Sequence, residues 1–145
     1  MLGSLKKYSK KGRFTFSLKQ SLREVCNAPI DKSGIYVIYG LRDGKEELIY
    51  IGRSGKMNSD STMFVRKAGL GGMKDRIVNG HQFGKIPRWI SWPTQMKMNR
   101  IDTLDIHWYV THDTVNNDCP RIVENALLRN YLEAYNRLPI WNKEL

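Results

Sequence analysis

The stretch GIYVIYGLRDGKEELIYIG, residues 34–52, decides the fold of this chain. Two runs rich in β-branched and aromatic residues flank Asp43-Gly44, a dipeptide that favours tight turns between strands. The stretch therefore predicts a β-hairpin whose strands cover residues 34–40 and 47–52.

The segments that follow the hairpin carry both helix and strand signals. Residues 73–78 predict a short helix that Asn79-Gly80 ends. Residues 104–110 alternate apolar and polar side chains, which predicts a third strand with one solvated face. A last helix begins near residues 118–120, where a proline stands, and runs to about residue 137.

The segment 83–100 combines two prolines and two tryptophans with a complete lack of acidic residues. Prolines at this density favour an irregular excursion over a regular element. We expect Trp89 and Trp92 to form a small satellite core rather than a pair that stacks on bases.

Length and composition indicate one globular domain. The chain has 145 residues, 41% hydrophobic and 26% charged, which is enough apolar bulk for one core. Its two cysteines, Cys26 and Cys119, form neither a disulfide framework nor a zinc knuckle, so we expect a reducing, cytoplasmic location. No stretch approaches the length of a membrane span, and we expect no membrane partner.

The charge of the chain indicates a polyanionic partner. A formal net charge of +10 favours nucleic acid or an anionic membrane surface. A basic amphipathic helix of convincing length is missing from the sequence, which argues against the membrane surface. Nucleic acid is therefore the expected partner.

The basic residues concentrate in two segments. Residues 1–13 hold five lysines and arginines and no acid, which predicts a mobile arm, followed by a short helix over residues 17–26 with Ser17 as its cap. We assign residues 1–33 to this arm and helix, and residues 34–145 to the main domain. Residues 53–100 hold ten basic side chains against Asp60 and Asp75. Expected contacts to a nucleic-acid phosphate backbone come from this second segment: Arg53, Lys56, Lys85 and Arg88.

Two triplets in the hairpin carry a family resemblance. Gly34-Ile35-Tyr36 followed by Tyr50-Ile51-Gly52 resembles the GIY-YIG nuclease domain, and Arg76, Glu124 and Asn142 occur in the family's order. The resemblance covers residues 34–142. It implies an α+β fold with a small three-stranded antiparallel sheet flanked by helices. It also implies cleavage of DNA phosphodiesters with one divalent metal ion, Mg²⁺ or Mn²⁺.

Phosphodiester hydrolysis needs a base for the attacking water, positive charge for the phosphate, and a metal or acid for the leaving oxygen. Tyr36 or Tyr50 is the candidate base or water-orienting group, although a phenol with a pKa of about 10 needs a nearby cation to ionise at pH 7. Glu124 is the candidate metal ligand because it lies beside apolar positions of the last helix. Glu133 is the competing carboxylate.

The remaining candidates support the phosphate and the geometry of the site. Arg76 offers a planar donor fork for the scissile phosphate. His81 follows it by five residues, which on a continuous helix rotates it about 140° away, so His81 reaches the site only if Gly80 ends the helix. Asn142 is expected to position neighbouring groups.

The register of the hairpin decides whether the two tyrosines share a face of the sheet. A hairpin symmetric about Asp43 places Tyr36 opposite Tyr50, whereas a two-residue Asp43-Gly44 loop places Tyr36 opposite Ile51 and puts the tyrosines on opposite faces. We therefore predict an odd-length loop or a β-bulge.

Two classes of function follow from the sequence. The first is a metal-dependent DNA endonuclease, either a small restriction enzyme or a stand-alone repair or structure-specific nuclease acting on double-stranded or branched DNA. The second is a basic nucleic-acid-binding module that keeps the same fold without cleaving. The joint presence of Tyr36, Tyr50, Arg76 and Glu124 favours the nuclease, since a binding module does not need all four.

Overall fold

The computed structural model describes residues 2–57, 63–64 and 72–145. Within these residues the fold is α+β, with a four-stranded antiparallel sheet and four α-helices. The strands of this sheet are β1 (Lys11–Ser17), β2 (Gly34–Arg42), β3 (Lys45–Ser54) and β6 (Thr103–Val110), in the order β1-β6-β2-β3. Two short strands, β4 (Lys56–Met57) and β5 (Met63–Phe64), pair with each other beside it.

The expected three-stranded sheet is corrected to four strands by β1. This strand pairs antiparallel with β6 over its whole length, from Lys11 opposite Tyr109 to Ser17 opposite Thr103. Phe14 and Phe16 alternate with exposed neighbours and are buried in the core. The alternation of these two phenylalanines is a strand pattern, which the surrounding lysines and arginine obscured.

The expected mobile arm is also wrong for the described part of residues 1–13. Residues Gly3–Lys7 form a 3₁₀-helix, and Leu5 and Tyr8 are buried against the sheet. The Tyr8 hydroxyl donates to Asp118 Oδ2 at 2.6 Å, and Lys7 Nζ lies 2.8 Å from the same oxygen. The N-terminal segment is thus fixed by apolar burial and by one shared carboxylate.

The hairpin has a two-residue turn and a bulge, which together set the tyrosine register. Asp43 and Gly44 both have positive φ, 52° and 73°, as a type I′ turn requires. The register shifts between Ile38 and Tyr39, so the predicted bulge is confirmed and the odd-length loop is wrong. Tyr36 lies opposite Gly52 rather than opposite Tyr50.

The helices cover the two faces of the sheet. Helix α4 (Pro120–Tyr135) buries Leu127, Leu128 and Tyr131 against one face, together with Ile35, Val37 and Ile51. Helices α1 (Leu22–Val25), α2 (Met73–Asn79) and α3 (Arg88–Asn99) belong to the core on the other face. The predicted short helix before Gly80, the strand over residues 104–110 and the last helix are confirmed.

Two predictions about helices are corrected. The first helix is shorter than residues 17–26, because Ser21 rather than Ser17 accepts the capping hydrogen bond, from the backbone N–H of Glu24. Residues 88–99, expected to be irregular, form α3, which begins directly after Pro87 and carries Pro93 inside it. Burial of Trp92 and Met96 on one side of this helix outweighs the backbone hydrogen bond that Pro93 removes.

The two tryptophans of α3 have different environments. Trp92 is buried in the main core, whereas Trp89 is 49% exposed. The expected satellite core of the two tryptophans is therefore wrong, because Trp92 belongs to the main core and Trp89 faces solvent. Among the described residues, no helix combines the length and the apolar character that a membrane span needs.

Candidate active site

The glycines of the two triplets are required by close contacts. A Cβ at Gly34 would lie 1.9 Å from the carbonyl oxygen of Tyr109 on the neighbouring strand. A Cβ at Gly52 would lie 2.5 Å from the ring of Tyr36 and 2.6 Å from the ring of Tyr50. All three distances are too short for a side chain at these positions, so the glycines let the strands and the tyrosine rings pack together.

The two tyrosines share one face of the sheet. Their ring centroids are 6.0 Å apart, with the ring planes tilted by 43°. Tyr36 is fully buried, and its hydroxyl has no hydrogen-bond partner in the described part of the chain. Tyr50 is half-buried and borders a surface cavity.

This cavity, of about 740 Å³, collects most of the residues predicted from the sequence. Six of the predicted residues line it: Tyr50, Arg53, Arg76, His81, Glu124 and Asn142. Tyr36, Lys85 and Arg88 are not among its lining residues, and the side chain of Lys56 lies outside the described residues.

The charge of the cavity is mainly positive. Arg53, Arg76, Arg121 and Lys143 line it, against the carboxylates of Glu124 and Glu144. Cations that converge on a concave surface concentrate anionic ligands there.

Glu124 lies at the border between the apolar core and the cavity. It is 8% exposed, and its Oε1 accepts a hydrogen bond from Arg53 Nη1 at 2.5 Å. Burial raises the pKa of Glu124, and the charges of Arg53 and Arg76 oppose that rise. The carboxylate is thus incompletely solvated and is stabilised by nearby cations. Glu133, the competing carboxylate, is exposed and does not line the cavity.

The environment of Tyr50 favours the neutral phenol. Burial raises the pKa of Tyr50 well above its ordinary value, and Tyr36 and Glu124 raise it further. Arg88 and Arg76 act in the opposite direction. Because burial dominates, the Tyr50 hydroxyl is a hydrogen-bond donor at neutral pH rather than a ready base.

Asn142 holds the edge strand β3 rather than pointing a reactive group at the cavity. Its Oδ1 accepts from the backbone N–H of Ile51, and its Nδ2 donates to the Ile51 carbonyl, both at 3.0 Å. The backbone N–H of Trp141 donates to the Ile49 carbonyl at 2.9 Å. The C-terminal segment therefore satisfies backbone groups on the strand that carries Tyr50.

His81 reaches the cavity because Gly80 ends α2. Gly80 is the C-cap of that helix, and His81 then pairs in a β-bridge with Pro87. The sequence predicted that His81 reaches the site only if Gly80 ends the helix. Gly80 does end it, and Arg76 and His81 both line the cavity.

Arg88 is corrected from an exposed DNA contact to a buried residue. Only 1% of it is exposed, and it is enclosed by Tyr36, Tyr50 and Trp92. The expected irregular segment implied a solvent-exposed side chain, but the helix turns Arg88 inward. Lys85 is exposed, so its contact with DNA stays a prediction.

Sequence reasoning missed several lining residues, among them Arg121 in α4, Gln82 in the loop after α2 and Lys143 in the C-terminal tail. Arg121 stands three residues before Glu124, which places both on one face of α4. Lys143 follows Asn142 directly, and Gln82 follows His81. The helical spacing in α4 was a usable signal for Arg121, whereas the contacts of Gln82 depend on the tertiary fold.

A divalent metal ion is compatible with this set of donors. Across residues 2–57, 63–64 and 72–145, no three His, Cys, Asp or Glu side chains converge as a ligand group. Mg²⁺ keeps most of its waters and takes one or two carboxylates from a protein. Glu124 borders the cavity and fits the role of a single carboxylate ligand, in competition with Arg53 for its Oε1.

The comparisons with known proteins give no match. No protein-family model matches the chain, and no curated protein or solved structure matches it significantly. The class that the structure defines is therefore an α+β domain with a basic cavity beside a tyrosine pair.

Proposed function

We propose that this protein is a divalent-metal-dependent DNA endonuclease that hydrolyses phosphodiester bonds. The observation that carries the proposal is the convergence of Tyr50, Arg76, His81 and Glu124 in one cavity, from three separate segments of the chain. The resemblance of the two hairpin triplets to GIY-YIG nucleases supports the same activity. A small restriction enzyme and a stand-alone repair or structure-specific nuclease are both consistent with it.

The basic side chains bind and orient the phosphate in this proposal. Arg76 and Arg121 offer planar donor forks to phosphate oxygens, and Lys143 adds a point charge at the rim. Charge that develops on the phosphoryl oxygens during attack by water is stabilised most where such donors are already in place.

The tyrosines and Glu124 supply the remaining functions. The Tyr50 hydroxyl donates a hydrogen bond to a phosphate oxygen or to the attacking water. The sequence-based hypothesis gives the role of proton acceptor to Tyr36, although its hydroxyl is buried beside Tyr50 and outside the cavity lining. Glu124 holds the divalent metal ion, Mg²⁺ or Mn²⁺, which when bound supplies positive charge for the leaving oxygen. His81 lies at the same rim as a proton donor or acceptor.

The charge of the whole chain supports DNA as the substrate. The net charge of +10 and the four cations of the cavity provide the contacts that release counterions from a phosphate backbone. The two free cysteines, of which Cys26 is buried, support a reducing cytoplasmic location.

One observation favours the second candidate, a non-cleaving DNA-binding module. Glu124 already has a cationic partner in Arg53, so the carboxylate has a structural role without a metal ion. In that case the basic cavity binds DNA and Arg53 neutralises Glu124.

The two candidates are separated by measuring binding and cleavage on the same DNA. The purified protein is incubated with supercoiled plasmid and with a branched duplex, in Mg²⁺, in Mn²⁺ and in chelator, and the DNA ends are mapped. Metal-dependent nicking or cutting supports the endonuclease. Tight, salt-sensitive binding with intact DNA under every condition supports the binding module and contradicts the endonuclease.

A further inference from the structure

Arg88 is the most deeply buried cationic side chain described in this molecule, and it touches both tyrosines. Its guanidinium carbon lies 5.6 Å from the ring centroid of Tyr36, 5.8 Å from that of Tyr50 and 5.7 Å from that of Trp92. Neither the resemblance nor the cavity lining accounts for an arginine at this position.

Each nitrogen of the Arg88 side chain has a partner. Nε donates to Gln82 Oε1 at 3.0 Å, Nη1 donates to the backbone carbonyl of Arg76 at 2.5 Å, and Nη2 donates to the Tyr50 hydroxyl oxygen at 3.3 Å. One side chain therefore connects Tyr50, the carbonyl of Arg76 in α2 and the Gln82 loop. A Cβ at Gly80 would lie 2.5 Å from Nη1, so this glycine leaves room for the connection.

Among the described residues, Arg88 forms no ion pair. No described carboxylate lies within ion-pair distance of it, whereas Arg13, Arg42 and Arg53 each pair with an acid. Burying a cation without a counterion costs free energy that neutral acceptors and aromatic faces only partly offset.

The hydrogen-bond chemistry of Arg88 decides how the Tyr50 hydroxyl is oriented. A guanidinium has donors and no acceptor, so the Tyr50 oxygen accepts from it and the phenolic hydrogen must point elsewhere. The hydroxyl of Tyr36 does not receive that hydrogen, because it has no described hydrogen-bond partner. The side of Tyr50 that remains is the one that borders the cavity.

We propose that Arg88 is a positioning residue that fixes the Tyr50 hydroxyl as a hydrogen-bond donor directed into the cavity. The orientation is a property of the folded chain, whereas its use on a phosphate oxygen rests on the proposed nuclease function. The same guanidinium also donates to the backbone carbonyl of Arg76, so it links helix α2, which carries Arg76, to Tyr50.

Two variants separate the charge of Arg88 from its fork of donors. Arg88→Lys keeps the charge but cannot bond Gln82, Arg76 and Tyr50 together, and Arg88→Met keeps only the apolar stem. Arg13→Lys is the matched control. Arg13 lies on β1, at the sheet edge opposite the strand β3 that carries Tyr50, and it pairs with Asp105. Circular dichroism and urea unfolding establish which variants fold.

The first readout is the Raman Fermi doublet of tyrosine, which reports whether a phenol oxygen accepts or donates hydrogen bonds. Each protein is compared with its own Tyr50→Phe counterpart, so that the difference spectrum belongs to Tyr50. We expect the signature of an oxygen that both accepts and donates in the wild type and in Arg13→Lys, and a change to a donor-only signature in Arg88→Lys and Arg88→Met. A wild-type Tyr50 that lacks the acceptor signature overturns the proposal, even if neither Arg88 variant folds.

The second readout is cleavage and binding of DNA. We expect Arg88→Lys to slow single-turnover cleavage by roughly 10-fold to 10²-fold, as small misplacements of reacting groups do, with the dissociation constant for DNA nearly unchanged. An unchanged cleavage rate together with a lost Raman signature overturns the positioning role. If the wild type does not cleave DNA, the nuclease proposal fails, while the Raman comparison still decides the orientation of Tyr50.

Discussion

The Tyr36 hydroxyl makes opposite contributions to stability and to the proposed activity. It is buried without a described hydrogen-bond partner, so removing it relieves a desolvation cost. We expect Tyr36→Phe to be at least as stable as the wild type in urea unfolding. We also expect it to cleave DNA roughly 10²-fold or more slowly, the scale of a lost general base.

Tyr39→Phe is the matched control for this prediction, because Tyr39 lies on the same strand and packs with the cluster on the opposite face of the sheet. Its cleavage rate should equal that of the wild type. If Tyr50→Phe is the more damaging change across the pH range, the roles of the two tyrosines are reversed. If Tyr36→Phe cleaves normally, Tyr36 is only a core residue.

Gly52 tests the packing that holds the tyrosine pair. An added methyl group would meet both rings at 2.5–2.6 Å, so Gly52→Ala must displace them. We expect a loss of about 1–3 kcal/mol in the free energy of unfolding, as overpacked cores show. Gly3→Ala, where nothing lies within 4 Å of the new methyl group, is the control and should leave stability nearly unchanged. Equal stability of the two variants would refute the contact.

The N-terminal segment is an element whose attachment depends on pH. Hydrogen bonds from Lys7 and then from Tyr8 lower the pKa of Asp118 below its ordinary value of 3.8. A carboxyl with a lowered folded-state pKa contributes stability above its unfolded value, and this contribution disappears as the pH falls through the folded value. The relevant window therefore lies below about pH 4.

We expect Asp118→Asn to lose about 1 kcal/mol at pH 7, a modest value because the carboxylate is partly exposed to solvent. The difference from the wild type should shrink as the pH falls below 3.8. Urea unfolding at pH 7 and pH 3 measures it. A difference that is the same at both pH values would contradict a charge-based attachment of this segment.

At the scale of elements, local sequence patterns predicted the β2-β3 hairpin, strand β6 and helices α2 and α4. Asp43-Gly44 identifies its turn because both residues must adopt positive φ. Strand β1 was missed because charged residues surround Phe14 and Phe16, and its pairing with β6 is a contact between residues far apart in sequence. Helix α3 was not predicted because Pro87 and Pro93 indicate an irregular segment. The burial of Trp92 and Met96, which stabilises the helix, becomes visible only in the tertiary fold.

The candidate site was predictable where residue type and order carry chemistry, as for Tyr50, Arg76 and Glu124. The burial of Arg88 was not predictable, because an arginine in a basic, proline-containing segment resembles a surface residue. Nor does the sequence disclose that Arg53 pairs with Glu124, since 71 positions separate them.

For the molecule as a whole, the basic cavity predicts a specific dependence of DNA affinity on salt. Each phosphate contact that is lost should flatten the slope of log K against log salt by roughly one unit, whatever the DNA sequence. We expect this for Arg121→Ala and Lys143→Ala in the cavity, and for Lys85→Ala, whose exposed side chain lies outside the cavity lining, as measured by fluorescence anisotropy. Lys45→Ala, at the far end of β3 beside the hairpin turn, is the control and should not change the slope.

A slope that stays unchanged in a variant removes that residue from the DNA interface. An affinity that falls for one DNA sequence only would mean that the residue reads bases, which favours the restriction-enzyme form of the proposal.

The most direct measurement of the nuclease proposal compares Glu124→Gln with Glu133→Gln in Mg²⁺-dependent cleavage of plasmid DNA. The two glutamates lie on the same helix, but only Glu124 borders the cavity. We predict that Glu124→Gln falls to the background seen with chelator while it binds DNA as well as the wild type does, and that Glu133→Gln cleaves normally. Wild-type cleavage by Glu124→Gln would contradict the account.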